Sequence, residues 1–250
     1  MSVALRTEGL GKSFGAFRAN DDITLSFVQG ARHALIGPNG AGKTTLINLL
    51  TGVLPPTSGE IWLGDERVTV MPQYQRVKRG MTRTFQINTL FPGLTVLESV
   101  MLAICERDGV CNRWYLGVAS MTTQVDEALA LLASLRLEKD AGLLTRSLPY
   151  GKQRLVEIAL ALATRPSVLL LDEPAAGIPA DASGELFAVM AALPRDVTIL
   201  FIEHDMGLVF RFAERITVMA GGRVLVEGTP EEIARDPRVK EVYLGEAERG

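Results

Sequence analysis

The spacing of apolar positions changes character twice along the chain. Up to about residue 63 they fall in short runs with β-branched content. Val3–Leu10 and Ile23–Val28 mix apolar and polar residues as half-buried strands do, and His33–Ile36 and Ile61–Leu63 are shorter strands. Between them Lys43–Leu50 predicts a helix with Leu46, Leu49 and Leu50 on one side, closed by Thr51-Gly52 and the run Pro55-Pro56-Thr57-Ser58-Gly59. From about Thr95 to Ala163 the apolar residues recur every three to four positions. They predict helices over Val96–Glu106, Thr122–Leu135 and Lys152–Ala163, the first two separated by the polar stretch Asp108–Asn112. Beyond that point strands and helices alternate. Val168–Leu171 and Thr198–Ile202 are apolar without alternation, as fully buried parallel strands are, with a helix over Gly184–Leu193 between them. Ile216–Met219 and Arg223–Val226 flank Ala220-Gly221-Gly222 as a hairpin, and Pro230–Leu244 reads as two short helices. The whole predicts one α/β domain, with core segments 1–86 and 161–250 and an inserted helical subdomain over 87–160.

Composition narrows the class. The chain has 250 residues, 47% hydrophobic and 22% charged, an ordinary globular balance that argues against a wholly disordered, collagen-like or disulfide-dense protein. Lys+Arg number 26 against 29 Asp+Glu, and a net charge of -3 makes no electrostatic case for nucleic-acid binding, so no nucleic-acid partner is expected. Cys105 and Cys111 are too few for a disulfide framework; they could form one bridge, but two unpaired thiols in a reducing cytosol are the expectation. No apolar run approaches the roughly 18–20 residues that span a bilayer, and Met1–Glu8 lacks the features of a secretory signal. A cytoplasmic chain that docks on something in the membrane is the expectation.

Three segments carry chemistry. Gly37-Pro38-Asn39-Gly40-Ala41-Gly42-Lys43-Thr44-Thr45 is a complete phosphate-binding loop between a short strand and a helix. Its glycines let backbone N–H groups close around a polyphosphate, and the helix N-terminus adds positive partial charge. Lys43 reaches the β- and γ-phosphates and Thr44 ligates Mg²⁺ in such a loop. The second segment, Val168–Leu171 followed by Asp172-Glu173-Pro174, is a buried strand ending in two carboxylates at the edge where open α/β sheets bind ligands. There Asp172 would hold Mg²⁺ and Glu173 would orient and activate the attacking water. The third is Glu203-His204-Asp205 after the next strand. His204 belongs on the same edge as Glu173, where a neutral imidazole can hydrogen-bond a γ-phosphate oxygen or position the water. The chain's other histidine, His33, reads as structural.

Together these residues resemble the ATP-binding cassette (ABC) ATPases, over nearly the whole chain. The resemblance implies a P-loop fold: a RecA-like core, an N-terminal antiparallel β subdomain and the inserted helical subdomain. It implies that Phe14, in Lys12-Ser13-Phe14-Gly15, stacks on adenine. It also implies that Gln86, in Arg83-Thr84-Phe85-Gln86, senses Mg²⁺ and nucleotide at the hinge to the helical subdomain. Leu148-Pro149-Tyr150-Gly151-Lys152-Gln153-Arg154 takes the place of the family's signature Leu-Ser-Gly-Gly-Gln, with Pro149 for serine, Tyr150 for the first glycine and Lys152 for glutamine. After Pro174 the family has Ser-Ala-Leu-Asp, and this chain has Ala176-Gly177-Ile178-Pro179. Among ABC ATPases, these segments and the tail Gly228–Ala247 are similar to one ATPase subunit of branched-chain amino acid importers.

What the family does then sets the expectations. Two ATPase subunits pack head to tail, and each ATP meets Phe14, Gly37, Asn39, Gly40, Gly42, Lys43, Thr44, Thr45, Gln86, Asp172, Glu173 and His204 of one. It meets Pro149, Tyr150, Gly151 and Lys152 of the other. Mg²⁺ sits on Thr44, Gln86 and Asp172. The catalytic set is Lys43, Gln86, Glu173 and His204. The partners are a paralogous or identical ATPase, two transmembrane permeases and, indirectly, an external solute-binding protein. The place of work is the cytoplasmic face of the inner membrane. Competing readings are an ATPase for urea or amide import, one for lipid or lipopolysaccharide export, a phosphate-loop kinase and a hydrolytically idle ATP-binding module. The signature segment and His204 argue against the kinase; Lys43, Glu173 and His204 argue against the idle module.

Overall fold

The computed structural model describes residues 2–84, 90–110 and 121–247. Strands β1 (Val3–Phe14) and β2 (Phe17–Val28) pair antiparallel, from Leu5↔Phe27 at one end to Phe14↔Phe17 at the other. The sequence pattern ends these strands at Leu10 and Ile23, but the pairing continues to the Gly15-Ala16 turn. The outer half is bulged at Thr7/Leu10, Leu10/Lys12 and Lys12/Ser13, and Asp22 takes a left-handed φ of 56°. Bulges break the period of two on which strand recognition rests. The segment after Pro55 supplies β4 (Ser58–Leu63), and the two-residue β5 (Glu66–Arg67) closes a sheet of order β2-β1-β4-β5.

A second sheet runs β10-β9-β3-β8-β7-β6. Its strands are β3 (Arg32–Ile36), β6 (Met81–Arg83), β7 (Val168–Asp172), β8 (Thr198–Ile202), β9 (Arg215–Ala220) and β10 (Arg223–Gly228). β3 lies parallel to both β8 and β9, and β7 parallel to β8, while β9 and β10 form the expected antiparallel hairpin. Leu35 and Asp172 both pair with Ile202, so the chain leaves β3, β7 and β8 at one edge. Strands buried on both faces have no solvent side to alternate towards, which is why β3 and β8 are buried at every position and mostly apolar.

Helix α1 (Lys43–Thr51) puts Leu46, Ile47, Leu49 and Leu50 into a cluster with Leu5, Leu10, Ile23 and Phe27 of the antiparallel sheet and Leu170, Leu200 and Ile202 of the parallel one. Each such side chain contributes roughly 1.5–3 kcal/mol by leaving water. The far end of α1 is closed by Arg76 of α2 (Gln73–Lys78), a helix whose polar sequence shows no usable period. Arg76 Nη1 donates to the carbonyls of Leu49 and Leu50, Nε to Met71 at 2.8 Å and Nη2 to Thr69 at 2.9 Å. Burial lowers its pKa to about 10.

The chain forms two compact units. The first comprises Met1–Met81, Ser167–Pro174 and Pro194–Gly250 and includes α7 (Met206–Phe212), α8 (Pro230–Arg235) and α9 (Pro237–Ala247). The second comprises Thr82–Pro166 and Ala175–Leu193. Its helices are α3 (Val96–Arg107), α4 (Thr122–Ser134), α5 (Tyr150–Ala163) and α6 (Ala180–Ala191). A reciprocal capping box between Thr95 and Glu98 starts α3. Arg107 ties three helices together, donating to Glu127 Oε1 at 2.6 Å and to the Ala163 carbonyl at 2.8 Å. α6, which the sequence pattern assigns to the α/β core, packs on α5 in this unit. Cys105 is buried with Sγ 3.8 Å from Met121 Sδ, and Cys111 lies outside the described residues. Among the described residues no helix is long and apolar enough to cross a membrane.

Candidate functional site

Two glycines of the loop between β3 and α1 sit where no side chain fits. A Cβ on Gly37 would lie 2.2 Å from the Met219 carbonyl oxygen, and one on Gly42, at φ 96°, would lie 2.4 Å from that of Ala19. Gly42 caps α1 without a side-chain hydrogen bond, and the helix's first turn holds no acidic residue. Its N-terminal N–H groups and positive dipole end therefore face the loop without a carboxylate from that turn, which favours a polyanion. Lys43 opens α1 and is buried. Its ammonium donates to the carbonyls of Gly37 at 2.6 Å and Pro38 at 2.9 Å, so it sits inside the loop's own curve.

A cavity of about 220 Å³ lies over this loop. Asn39 to Thr45 form its floor, Phe17 and Ala19 of β2 one wall, and Glu173 and His204 another. Glu173 follows β7 with φ 49°, a left-handed conformation that costs a non-glycine residue about 1–2 kcal/mol, and its N–H donates to Ile202 O at 3.0 Å. Strain of this kind persists where the surroundings over-determine it. Here the carboxylate lies against His204, Oε1 to Nε2 at 2.7 Å, both side chains about half exposed. The His204 N–H donates to Glu203, and Asp205 caps α7 through the Leu208 N–H, so the backbone on both sides of the imidazole is fixed.

The structure thus brings Asn39, Gly40, Gly42, Lys43, Thr44, Thr45, Glu173 and His204 to one cavity. Gly37 underlies the loop against Met219, and Asp172 ends β7 immediately before Glu173. Phe14 does not line the cavity. It pairs across the hairpin with Phe17, with the Lys12 ammonium 5.2 Å from its ring centroid, and Phe17, 64% exposed, is the ring in the wall. Phe17 escaped the motif reading, and only the strand register that sets it opposite Phe14 across Gly15-Ala16, with its place in the cavity wall, reveals it. Gln86 lies outside the described residues. Pro149, Tyr150, Gly151 and Lys152 belong to the second unit, at the N-terminus of α5. Pro149 caps that helix, and Lys152 Nζ pairs with both carboxylate oxygens of Asp140 at 2.8 and 2.7 Å. His33 is structural: it is 1% exposed, Nε2 lies 2.7 Å from Thr217 Oγ1, and the ring meets Phe27 edge-on.

The described residues hold no cluster of three or more His, Cys, Asp or Glu suited to a metal. What they offer is the hydroxyl of the exposed Thr44 in the cavity floor and the carboxylate of Asp172, which ends β7 just before the cavity residue Glu173. That hard-oxygen set fits Mg²⁺, which binds through one or two carboxylates, waters and a substrate's phosphates rather than in an all-protein cage.

Residues 20–176 match the ABC transporter family, and residues 223–249 match the family described as branched-chain amino acid ATP-binding cassette transporter. The chain is 38% identical to the high-affinity branched-chain amino acid transport ATP-binding protein LivG of Escherichia coli (strain K12), over 97% of this chain and 98% of that one. It is similar to the crystal structure of the ADP conformation of MJ1267, an ATP-binding cassette of an ABC transporter. That likeness has a TM-score of 0.86 and 31% identity, covering 98% of this chain and 100% of that one. It is also similar to the dimeric structure of MJ0796, a bacterial ABC transporter cassette, with a TM-score of 0.74 and 25% identity over 90% of this chain and 98% of that one.

Proposed function

Because the chain belongs to the ABC transporter family as an ATP-binding, ATP-hydrolysing subunit, we propose that it powers import of branched-chain amino acids or a related small polar solute. The likeness to LivG and the match of the tail at residues 223–249 support that substrate class. The single observation that carries the mechanism is Glu173 held 2.7 Å from His204 on the wall of the cavity over the phosphate loop.

In this reading the loop N–H groups and the α1 dipole bind the β- and γ-phosphates. Lys43 exchanges its two loop carbonyls for phosphate oxygens. The adenine lies against the hairpin where Phe14 and Phe17 pair, with Phe17 as the ring in the cavity. Glu173 accepts a proton from a water aligned on the γ-phosphorus, His204 holds that carboxylate in place, and the bond to the β–γ bridging oxygen breaks to leave ADP and phosphate. Thr44 and Asp172 would hold Mg²⁺, which neutralises charge on the β- and γ-oxygens when bound. Gln86 joins the set by family resemblance.

The signature turn Pro149–Lys152 completes the site of a second cassette packed head to tail, a paralogue or another copy. The dimeric cassette MJ0796 supports pairing of this kind. ATP bridging the two halves closes the pair and hydrolysis opens it, a two-state element biased by ligand. The pair works on the cytoplasmic face of the inner membrane beneath two permeases served by an external binding protein. Vesicles carrying this chain with its permeases and paralogue, supplied with the binding protein outside, should take up leucine, isoleucine or valine only with ATP inside, and a Glu173→Gln chain should abolish uptake. Uptake at the wild-type rate with that variant as the sole copy of this chain would refute the reading; ATP-driven uptake of urea or an amide instead would replace the solute.

A further inference from the structure

Two departures from the family pattern meet in the second unit. Tyr150 stands where the signature has its first glycine, and Gly177 lies in the turn where the family has Ser-Ala-Leu-Asp. That turn is closed by Ile178 N–H donating to the Ala175 carbonyl at 3.0 Å, with Gly177 at φ 78°. The positive φ suits glycine at this position of a turn. A second constraint comes from the ring: a Cβ on Gly177 would lie 3.3 Å from Cε1, Cζ and Oη of Tyr150. The aromatic ring therefore fills the space that a side chain at position 177 would take.

The ring is held in turn from its own helix. Arg154, one turn along α5, places its guanidinium carbon 5.6 Å from the Tyr150 ring centroid. Arg154 and Glu157 form a buried ion pair, Nη1 to Oε2 at 2.9 Å, 7% and 4% exposed. Yet Arg154 Nε and Glu157 Oε1 are buried without a hydrogen-bond partner. A half-satisfied buried pair adds little to stability, and apolar replacements of similar volume are often neutral or better. The guanidinium does have one further use, a cation–π contact with the tyrosine. Lys152, tethered to Asp140, fixes the same first turn of α5 at a second point.

We infer that Tyr150 is a positioning residue whose ring, held by Arg154 and Glu157, braces the Ala175–Ile178 turn so that the signature turn and that turn keep one arrangement. The inference rests on the reading above, in which α5's first turn faces nucleotide held by a partner cassette. A signature without its serine hydroxyl, beside a turn without its aspartate, relies on placement of backbone groups. The brace supplies that placement.

The test uses the full chain with Glu173→Gln, titrated with ATP in sedimentation velocity, alone and with its paralogous ATPase. Adding Tyr150→Ala should raise the ATP concentration for half-association about tenfold, and Tyr150→Phe, which keeps the ring, should restore it. The Arg154→Met/Glu157→Leu pair should leave the thermal midpoint unchanged or higher and still raise that concentration. This pair carries the test if Tyr150→Ala does not fold. A merely structural role would lower thermal midpoints and leave the ATP dependence alone; that result, or unchanged association in both variants, overturns the inference. If the Glu173→Gln parent never associates at saturating ATP, the functional reading fails and this inference with it.

Discussion

Arg76 in the first unit and Arg154 in the second are both buried, at 1% and 7% exposure, and their surroundings treat them in opposite ways. Arg76 donates to four backbone carbonyls and closes α1, the helix that starts at the phosphate loop. Arg154 meets one carboxylate oxygen, keeps Nε without a partner, and pairs with a Glu157 whose pKa burial pushes up while Arg154 pulls it back. Arg76 serves rigidity, behind a loop that must hold phosphates closely in place. The second unit keeps an under-satisfied pair directly behind the residues expected to meet another chain. Buried polar groups that do not stabilise are a pointer to function.

The largest effect should expose that contrast directly. Arg76→Met removes one donor from each of four carbonyls and should cost about 3–5 kcal/mol in urea unfolding, against a change within about 1 kcal/mol for Arg154→Met/Glu157→Leu. Equal losses would erase the distinction. His33 sharpens the picture of a rigid first unit. Burial, with Arg215 adding to it, lowers its pKa from 6.5 to about 4. The unfolded chain therefore binds the proton more readily between those values. This contribution is complete above pH 6.5 and is lost as pH falls towards 4, about 3 kcal/mol in all. His33→Gln should flatten the stability–pH curve in that window. Lys43→Ala should weaken ATP binding about 100-fold in an equilibrium titration; unchanged affinity would remove the phosphate loop from the site. The smallest effect concerns the hairpin. Phe17→Ala should weaken ATP about tenfold and leave tripolyphosphate binding alone, and Phe14→Ala should do less. A larger loss at Phe14 would return the base to that ring.

What the sequence made legible follows from how local each signal is. The phosphate loop, Asp172-Glu173 and His204 sit directly after short apolar strands, and parallel pairing of β3, β7 and β8 carries them to one edge without further information. The outer half of the β1–β2 hairpin was hidden by its bulges, and Phe17 with it. α6 was legible as a helix but not as a neighbour of α5, because amphipathic spacing says that a face is buried and not against what. The contact of Tyr150 with Gly177 joins residues far apart in the chain and has no local signature. The departures at Pro149–Lys152 and Ala176–Pro179 are visible in the sequence, but only the structure shows that two of them touch.

We propose Glu173, strained at φ 49° and held against His204, as the group that makes ATP cleavable in this cavity. Nucleotide retention and phosphate release measured together on the Glu173→Gln chain, mixed with ATP and Mg²⁺, test it most directly. ATP bound with wild-type affinity and recovered intact, with phosphate release reduced at least about 100-fold, is the predicted result. Phosphate release at the wild-type rate from the same sample would contradict it.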